Sequence, residues 1–164
     1  DRFNNALKKF MDKYRYKSSP YADIGTFVKM IKDNTPDDLV YLVDDTFSKI
    51  TLYENKAKNA SAILNDDGSY DVTFTVEAKK VYSDSTGVQT KAKLNDWLEI
   101  GILGEDELSG EKIEIPILLE KVFITDSVAT FTYNVNQKPV KAGIDPMNKF
   151  IDRVIDDNIV RVEF

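Results

Sequence analysis

Carboxylates are the main groups in this chain that could do acid–base chemistry or bind a metal, because its 164 residues include no His and no Cys. A glycosidase-like pair would need two carboxylates that meet only in the fold. Adjacent acidic residues in an acidic protein are usually solvated charge, so we expect no catalytic group among them. The clusters are Asp44–Asp45, Asp66–Asp67, Glu105–Asp106–Glu107 and Asp156–Asp157.

Calcium is the one metal that the acidic clusters leave open. None of them matches a complete D-x-[DN]-x-[DN]-G loop, but Asp66, Asp67 and neighbouring carbonyls could still hold the ion. The lack of Cys removes thiol nucleophiles, disulfides and thiolate metal sites together.

Aromatic residues could form a platform on which a sugar stacks. Trp97 is the single Trp of the chain. It stands beside Leu98 and Ile100, and a lone Trp in a sandwich strand is usually part of the core, so we expect it there. The other aromatic residues considered for a platform are Tyr53, Tyr70, Tyr82 and Tyr133.

Charge argues against a nucleic-acid partner. The net charge is -6 and the pI is about 4.8, so the overall field repels phosphate backbones and anionic headgroups. The nearest approach to a basic patch is a group of four lysines, which we expect to face solvent and protect strand edges. They are Lys79, Lys80, Lys91 and Lys93.

Helical periodicity dominates the first part of the chain. Apolar residues recur at i, i+3, i+4 and i+7 from Phe3 to Tyr14 and predict a helix. A second helix is expected over about 23–32. A third should start with Thr35 as N-cap and Pro36 in the first turn, and continue to about Phe47.

Two-residue periodicity follows after Lys49 and predicts strands. The alternation is cleanest from Tyr70 to Ala78, and the turn residues 65–68 should join this strand to the preceding one as a hairpin. The expected class is therefore α+β and β-dominant: short helices in residues 1–48 and an antiparallel Ig/fibronectin-like sandwich in residues 49–164. The expected strands are 50–64, 70–78, 89–93, 97–103, 113–123 and 128–135, with a last one ending at Phe164.

The segment after residue 138 predicts a bend and a short helix. Gly143 permits a tight bend, and Asp145 can cap a helix whose first residue is Pro146. Met147, Phe150, Ile151 and Val154 then recur at helical spacing. Asp156–Asp157–Asn158 should turn the chain into its last strand.

This segment resembles the closing part of large bacterial membrane proteins in which an ABC-transporter permease is fused to an aminopeptidase-N-like (gluzincin) zinc metallopeptidase. The residues that carry the resemblance are Lys138–Pro139, Ala142–Pro146, Ile151–Arg153 and Asp156–Asn158. Weaker resemblance runs through Thr35–Leu39, Asp44–Phe47, Lys49–Tyr53 and Leu94–Trp97.

The resemblance implies that the chain is the carboxy-terminal accessory domain of such a protein, on the extracytoplasmic face of the cell membrane. It implies zinc and a peptide substrate for the parent only, and the upstream peptidase domain of the same chain as partner. Without His, this fragment has no H-E-x-x-H motif, so we expect no catalytic residue and no cofactor in it.

The resemblance also implies that the signature residues are structural and fix the final helix to the sandwich. Arg153 could bridge to Asp157 four residues on, or to a partner surface. The signature residues are Gly143, Asp145, Pro146, Asp152, Arg153, Asp157 and Asn158.

Two other hypotheses remain open: a free-standing cell-envelope module that binds glycan or protein, and a small carboxylate hydrolase. The start at Asp1 without Met or leader favours a piece of a longer protein, and no run of about 18 apolar residues predicts a membrane span in the fragment, which we expect to be soluble. If the helices of residues 1–48 expose a broad apolar face, packing against another domain is favoured.

Overall fold

The computed structural model describes residues 2–19, 21–108 and 111–164. Contacts divide the chain into two compact units, one ending at Thr51 and the other beginning at Leu52, whereas the sequence analysis divides it at 48/49. The first unit carries the helices, and the second carries nearly all of the strands.

Within the part of the first unit that the structure describes, there are three α-helices: α1 (Arg2–Tyr14), α2 (Ile24–Asn34) and α3 (Val40–Phe47). Asp23 caps the α2 helix, because its Oδ1 accepts the backbone N–H of Thr26 at 2.7 Å. Edge-to-face contacts of Phe27 with Phe10 and Phe47, with ring centroids 5.5 and 6.2 Å apart, connect the three helices.

The predicted start of the third helix is wrong. Thr35 ends α2 and does not cap α3: its hydroxyl donates to the Ile31 carbonyl at 2.8 Å. The last carbonyls of a helix lack intrahelical partners, and the Thr35 side chain satisfies one of them. A 3-10 turn, Asp37–Leu39, follows Pro36, and α3 begins only at Val40.

The described residues form eight strands in two sheets, so the class is α+β with antiparallel β structure dominant, as predicted. One sheet has the order β1–β2–β3 with β6 also paired to β2, and the other has the order β5–β4–β7–β8. The strands are β1 (Ile50–Leu64), β2 (Tyr70–Ser83), β3 (Gln89–Lys91), β4 (Asp96–Leu108), β5 (Glu111–Ile124), β6 (Val128–Val135), β7 (Pro139–Ile144) and β8 (Ile159–Arg161).

The core lies between the two sheets. The alternation that predicted β2 is confirmed, because Val72, Phe74 and Val76 are almost completely buried. From the facing sheet, Leu98 and Ile100 of β4 join the same cluster at 0% exposure. Burial of each such side chain stabilises the fold by roughly 1.5–3 kcal/mol.

The helix expected from Pro146 is not formed. Asp145 and Asn148 have φ angles of 46° and 50°, and this left-handed conformation cannot continue a right-handed helix. The Asn148 N–H donates to the Asp145 carbonyl at 3.0 Å and closes a turn instead. A helical turn occurs later, as the 3-10 segment Ile155–Asp157.

The carboxy-terminal segment, residues 145–164, lies beside β1, the edge strand of its sheet, and isolated bridges join Tyr53 to Asp152 and Ser61 to Glu163. The Tyr53 N–H donates to the Ile151 carbonyl at 2.9 Å. Farther along, Ala62 donates to Glu163 at 2.7 Å, and Glu163 donates back to Ala60 at 3.0 Å. The part of the β1 edge between these contacts borders the site described next.

Candidate functional site

Asp145 organises the turn at the start of the signature segment. Its carboxylate is fully buried and accepts the backbone N–H groups of Lys149 at 2.8 Å and Phe150 at 3.0 Å. Burial raises the pKa of Asp145, and the nearby Glu99 charge acts in the same direction. Glu99 is itself paired with the Lys149 ammonium at 2.7 Å. The Asp145 carboxylate thus holds a backbone turn.

Gly143 and Asn158 pack backbone against backbone. A Cβ at Gly143 would lie within the van der Waals radius of the Asn158 carbonyl oxygen and 2.8 Å from Ile159 Cα. Pro146 makes a similar close approach, because its Cγ would lie 2.7 Å from a Cβ at Gly101. Both contacts require glycine, since any larger residue would separate the paired elements.

Asp152 ties the carboxy-terminal segment to the edge of β1. Its Oδ2 accepts the Asn55 N–H at 2.7 Å, and its Oδ1 accepts the Val154 N–H at 2.9 Å. The Asp152 carboxylate therefore takes the place of the carbonyl that a neighbouring strand would offer to the Asn55 N–H.

Of the two partners considered for Arg153, Asp157 is not the one that the structure gives: the two side chains pair with other residues. Arg153 Nη2 lies 3.7 Å from Glu54 Oε1, and Lys56 Nζ lies 3.1 Å from Asp157 Oδ2. The chain turns between the two residues instead of continuing as a helix. Each side chain therefore reaches a partner on β1.

These residues form a cleft of about 430 Å³ between the β1–β2 surface and the carboxy-terminal segment. Its walls carry both charges, and acidic side chains outnumber basic ones by four to three. The lining residues are the acidic Glu54, Glu77, Asp152 and Asp157, the basic Lys56, Lys79 and Arg153, and the uncharged Asn55 and Val154.

Glu77 pairs with two lysine side chains beside the cleft. It contacts the ammonium of Lys58 and lies 3.1 Å from that of Lys79. The hydrogen bond from Lys58 and then that from Lys79 lower the pKa of Glu77. Glu77 therefore stays charged to a lower pH than an unpaired glutamate would.

Two polar groups that border the cleft have unfilled hydrogen-bonding capacity. Asn55 is 2% exposed, and neither its Oδ1 nor its Nδ2 has a partner among the residues that the structure describes. Asp157 Oδ1 is likewise buried without a partner in that set. The sequence analysis missed Asn55, whose one signal is a polar residue at an inward position of β1, between Tyr53 and Ala57.

A second surface feature contradicts the expected core position of Trp97. Its side chain is 48% exposed and pairs with Phe123, 49% exposed, with ring centroids 5.4 Å apart across β4 and β5. Leu98 and Ile100 occupy the inward positions of β4, so strand alternation places Trp97 outside. None of the ring contacts that the structure describes joins Trp97 to one of the four tyrosines considered with it. Tyr53, for example, contacts Phe150, with ring centroids 4.7 Å apart.

Lys80 and Asp45 also differ from expectation. Lys80 is 3% exposed and is not part of a solvent-facing basic patch, because its position on β2 has the inward parity of Val76 and Ala78. Asp45 is 8% exposed and not solvated, and its carboxylate lies 3.3 Å from the Lys49 ammonium.

Residues 2–19, 21–108 and 111–164 show neither a metal-ligand cluster nor a membrane-spanning helix. These residues contain no group of three or more His, Cys, Asp or Glu that could hold a metal ion. Asp67 Oδ1 accepts hydrogen bonds from the Ser69 N–H and hydroxyl at 2.9 and 2.7 Å. No helix of the described residues is long and apolar enough to cross a bilayer.

The helical unit has an open apolar groove of about 400 Å³. Phe3 and Phe47 line it and remain 53% and 44% exposed, although both are large apolar side chains. Other apolar residues that line the groove are Phe27, Ile31, Leu39 and Leu42.

Comparisons of the chain with protein-family models, curated proteins and solved structures give no match.

Proposed function

We propose that this chain is a non-catalytic accessory domain of a membrane-anchored protein in which an aminopeptidase-like zinc metallopeptidase is fused to an ABC-transporter permease. In this proposal the domain lies on the extracytoplasmic face and supports or shields the peptidase. In this proposal zinc, its ligands and the general base would lie outside these 164 residues, and the metal would supply an activated water for peptide hydrolysis there.

The open apolar groove of the helical unit is the observation that carries the proposal. A groove lined by Phe3, Phe27 and Phe47 would lose unfavourable contact with water if an apolar surface filled it. The occupant that we propose is the surface of the peptidase domain upstream in the same chain. Interfaces between domains of one chain are commonly of this kind.

The signature residues support an architectural role. Asp145 and Asp152 each use both carboxylate oxygens to accept backbone N–H groups. Gly143 allows the backbones of β7 and the following segment to meet. Such residues keep one backbone conformation, which explains a recognisable sequence pattern in a domain without catalytic residues.

The proposal is tested in the whole natural protein with a charge placed in the groove. Phe47→Asp should expose the junction of the helical unit to limited proteolysis and reduce hydrolysis of a chromogenic aminopeptidase substrate. Tyr16→Asp is the matched control, because Tyr16 is 99% exposed and does not line the groove. Equal proteolysis and equal activity of the two variants would contradict the proposal.

A free-standing cell-envelope module that binds glycan or protein is the second candidate function. The exposed Trp97–Phe123 pair favours it, because paired aromatic rings on a sheet surface can stack against a sugar ring. Calorimetric titration with soluble oligosaccharides, with Trp97→Ala as the comparison, tests this alternative. Binding that is lost in Trp97→Ala would support it, and no heat of binding would count against it.

A further inference from the structure

We infer that the α1–α2 turn, residues 15–19 and 21–24, binds the surface of an anionic lipid bilayer. In this inference Arg15 and Lys17 meet the phosphate headgroups, and the ring of Tyr16 enters the boundary between headgroups and acyl chains. The inference does not depend on the accessory role proposed above. It rests on a segregation of charge within the chain, on exposed apolar side chains and on the backbone conformation of Tyr16.

Positive charge is concentrated near one end of the sequence. Residues 2–17 contain six Lys or Arg and one Asp, a net charge of +5, whereas the whole chain carries -6, which leaves -11 on the other residues. The overall charge, which argues against an anionic partner, therefore conceals a basic segment. Charge asymmetry of this kind indicates a surface that meets a membrane or a nucleic acid.

The basic side chains of this segment have little to pair with inside the protein. Arg15 lies 3.5 Å from Asp12, but both side chains are more than half exposed, so this pair is weak. Lys9, Lys13 and Lys17 are exposed and form no ion pair within the part of the chain that the structure describes. Lys9 and Lys13 also stand at i, i+4 on α1, where like charges repel each other. An external anionic surface would stabilise these charges.

Large apolar side chains are exposed beside these charges. Tyr16 is 99% exposed, Tyr21 78% and Ile24 68%. Tyr16 and Tyr21 lie in the connection from α1 to α2, and Ile24 is the first residue of α2, so all three are at the same end of the helix pair. Tyrosine is enriched where a membrane meets water, because its ring favours the apolar side while its hydroxyl stays hydrated.

The backbone of Tyr16 is a separate observation that points the same way. Its φ is 60°, in the left-handed region that follows the end of α1, where helices commonly have glycine. A residue with a Cβ is strained there, and a ring that stays almost fully exposed contributes little packing in return. The Arg15 guanidinium, 5.9 Å from the ring centroid, keeps the ring beside a cation. Stability therefore does not explain a tyrosine at this position, whereas binding does.

An anionic bilayer satisfies the charged and the apolar groups together. Its phosphates would attract Arg15 and Lys17, and its headgroup boundary would take the Tyr16 ring out of water. A nucleic acid would meet the charges but would leave Ile24 and Met11 in water. Met11 is 54% exposed and lies one turn before Arg15, on the same face of α1. The observations therefore favour the bilayer.

The test measures co-sedimentation of the 164-residue chain with lipid vesicles. On vesicles of phosphatidylglycerol and phosphatidylcholine in equal amounts, we expect saturable binding that weakens as NaCl is added. Vesicles of phosphatidylcholine alone should bind much less protein, because they attract no positive charge.

Removal of three positive charges tests the electrostatic part. Lys13→Gln/Arg15→Gln/Lys17→Gln should bind the anionic vesicles about a hundredfold more weakly, since each basic residue near such a surface contributes about fivefold. A matched control with the same net charge should bind as the wild type does, because it changes three exposed lysines of the second unit. The control is Lys91→Gln/Lys93→Gln/Lys121→Gln.

Tyr16→Gly separates binding from stability. Glycine adopts a positive φ without strain, so the urea midpoint of this variant should equal or exceed that of the wild type. Its binding to the anionic vesicles should nevertheless fall about tenfold, because no ring leaves water. Tyr16 does not line the apolar groove, so its loss tests the lipid contact without disturbing the peptidase contact proposed above.

Four results would overturn the inference. They are equal binding to the two kinds of vesicle, equal losses of binding in the two triple variants, wild-type binding by Tyr16→Gly, and binding to a DNA duplex without binding to anionic vesicles.

Discussion

The Lys80 ammonium lies 2.9 Å from Oδ1 and 3.2 Å from Oδ2 of Asp96, and this ion pair joins the two sheets inside the sandwich. The side chains of Lys80 and Asp96 are 3% and 1% exposed. Lys80 comes from β2 and Asp96 from the first position of β4. A charge-assisted contact therefore links β2 of one sheet to β4 of the other inside the core.

Removal of one partner of this pair should be strongly destabilising. Lys80→Met leaves the Asp96 charge buried without compensation, which costs about 3–5 kcal/mol of unfolding free energy. Urea denaturation measures the loss. The double variant Lys80→Met/Asp96→Leu should be more stable than Lys80→Met, because no buried charge is left.

Lys79→Met provides the control for this prediction. Lys79 adjoins Lys80 in sequence, but its side chain is 49% exposed and contributes to a surface pair with Glu77. Exposed pairs contribute about 0–1 kcal/mol, so this variant should be nearly as stable as the wild type. Similar losses of unfolding free energy for Lys79→Met and Lys80→Met would contradict the difference in burial between the two lysines.

Gly143→Ala should separate β7 from the segment that contains Asn158. The added methyl group would overlap the Asn158 carbonyl oxygen, and backbone cannot move as a side-chain end can. We expect a loss of about 3 kcal/mol or more in unfolding free energy. Gly68→Ala is the comparison, because Gly68 has a φ of 85° and open space around it. Only the strained φ acts there, so this variant should lose about 1–2 kcal/mol of unfolding free energy. Equal losses would contradict the close contact.

The raised pKa of Asp145 predicts a pH dependence of opposite sign to that of most carboxylates. Burial raises this pKa above 3.8, so the folded protein binds the proton more tightly than the unfolded chain. The Asp145 contribution to stability is therefore fully present below about pH 4 and decreases as the pH rises through the folded pKa.

Urea denaturation of the wild type and Asp145→Asn across this range checks the sign. The unfolding free energy of the wild type minus that of the variant should fall with rising pH, by about 1.4 kcal/mol for each unit by which the pKa is raised. A difference that grows with pH would mean that the fold lowers this pKa. Lys149 and Glu99 contact the same turn, so both stay unchanged in the comparison.

Trp97 should behave as a surface residue. As the single Trp, it reports its own environment, and we expect emission at long wavelength and efficient quenching by acrylamide in the folded protein. Trp97→Ala should cost about 1 kcal/mol, against about 3–5 kcal/mol for a core Trp. Short-wavelength emission that acrylamide does not quench would place the residue in the core.

Local periodicity predicted most of the fold. The bounds of β1 agree with expectation, and Asp23 begins α2 through the hydrogen bond that its residue type suggests. The two-residue alternation of β2 identified its inward face, because a half-buried strand imposes that alternation directly.

The failures come from contacts between distant parts of the chain. Trp97 and Lys80 were assigned by residue type, whereas strand parity decides which side each faces. The spacing after Pro146 suggested a helix, but the Asp145 carboxylate and the left-handed Asn148 close a turn. In the sequence, only its inward position on β1 distinguishes Asn55 from other polar residues. The segment that forms the cleft beside it is distant in the sequence: Asp152, which bonds the Asn55 N–H, is 97 residues away.

The most direct test of the proposed function is to read the natural gene upstream of the codon for Asp1. The account predicts an H-E-x-x-H motif with a downstream Glu ligand, preceded by hydrophobic spans, in the same reading frame. A signal peptide immediately before Asp1 would contradict it and would indicate an independent exported binding module.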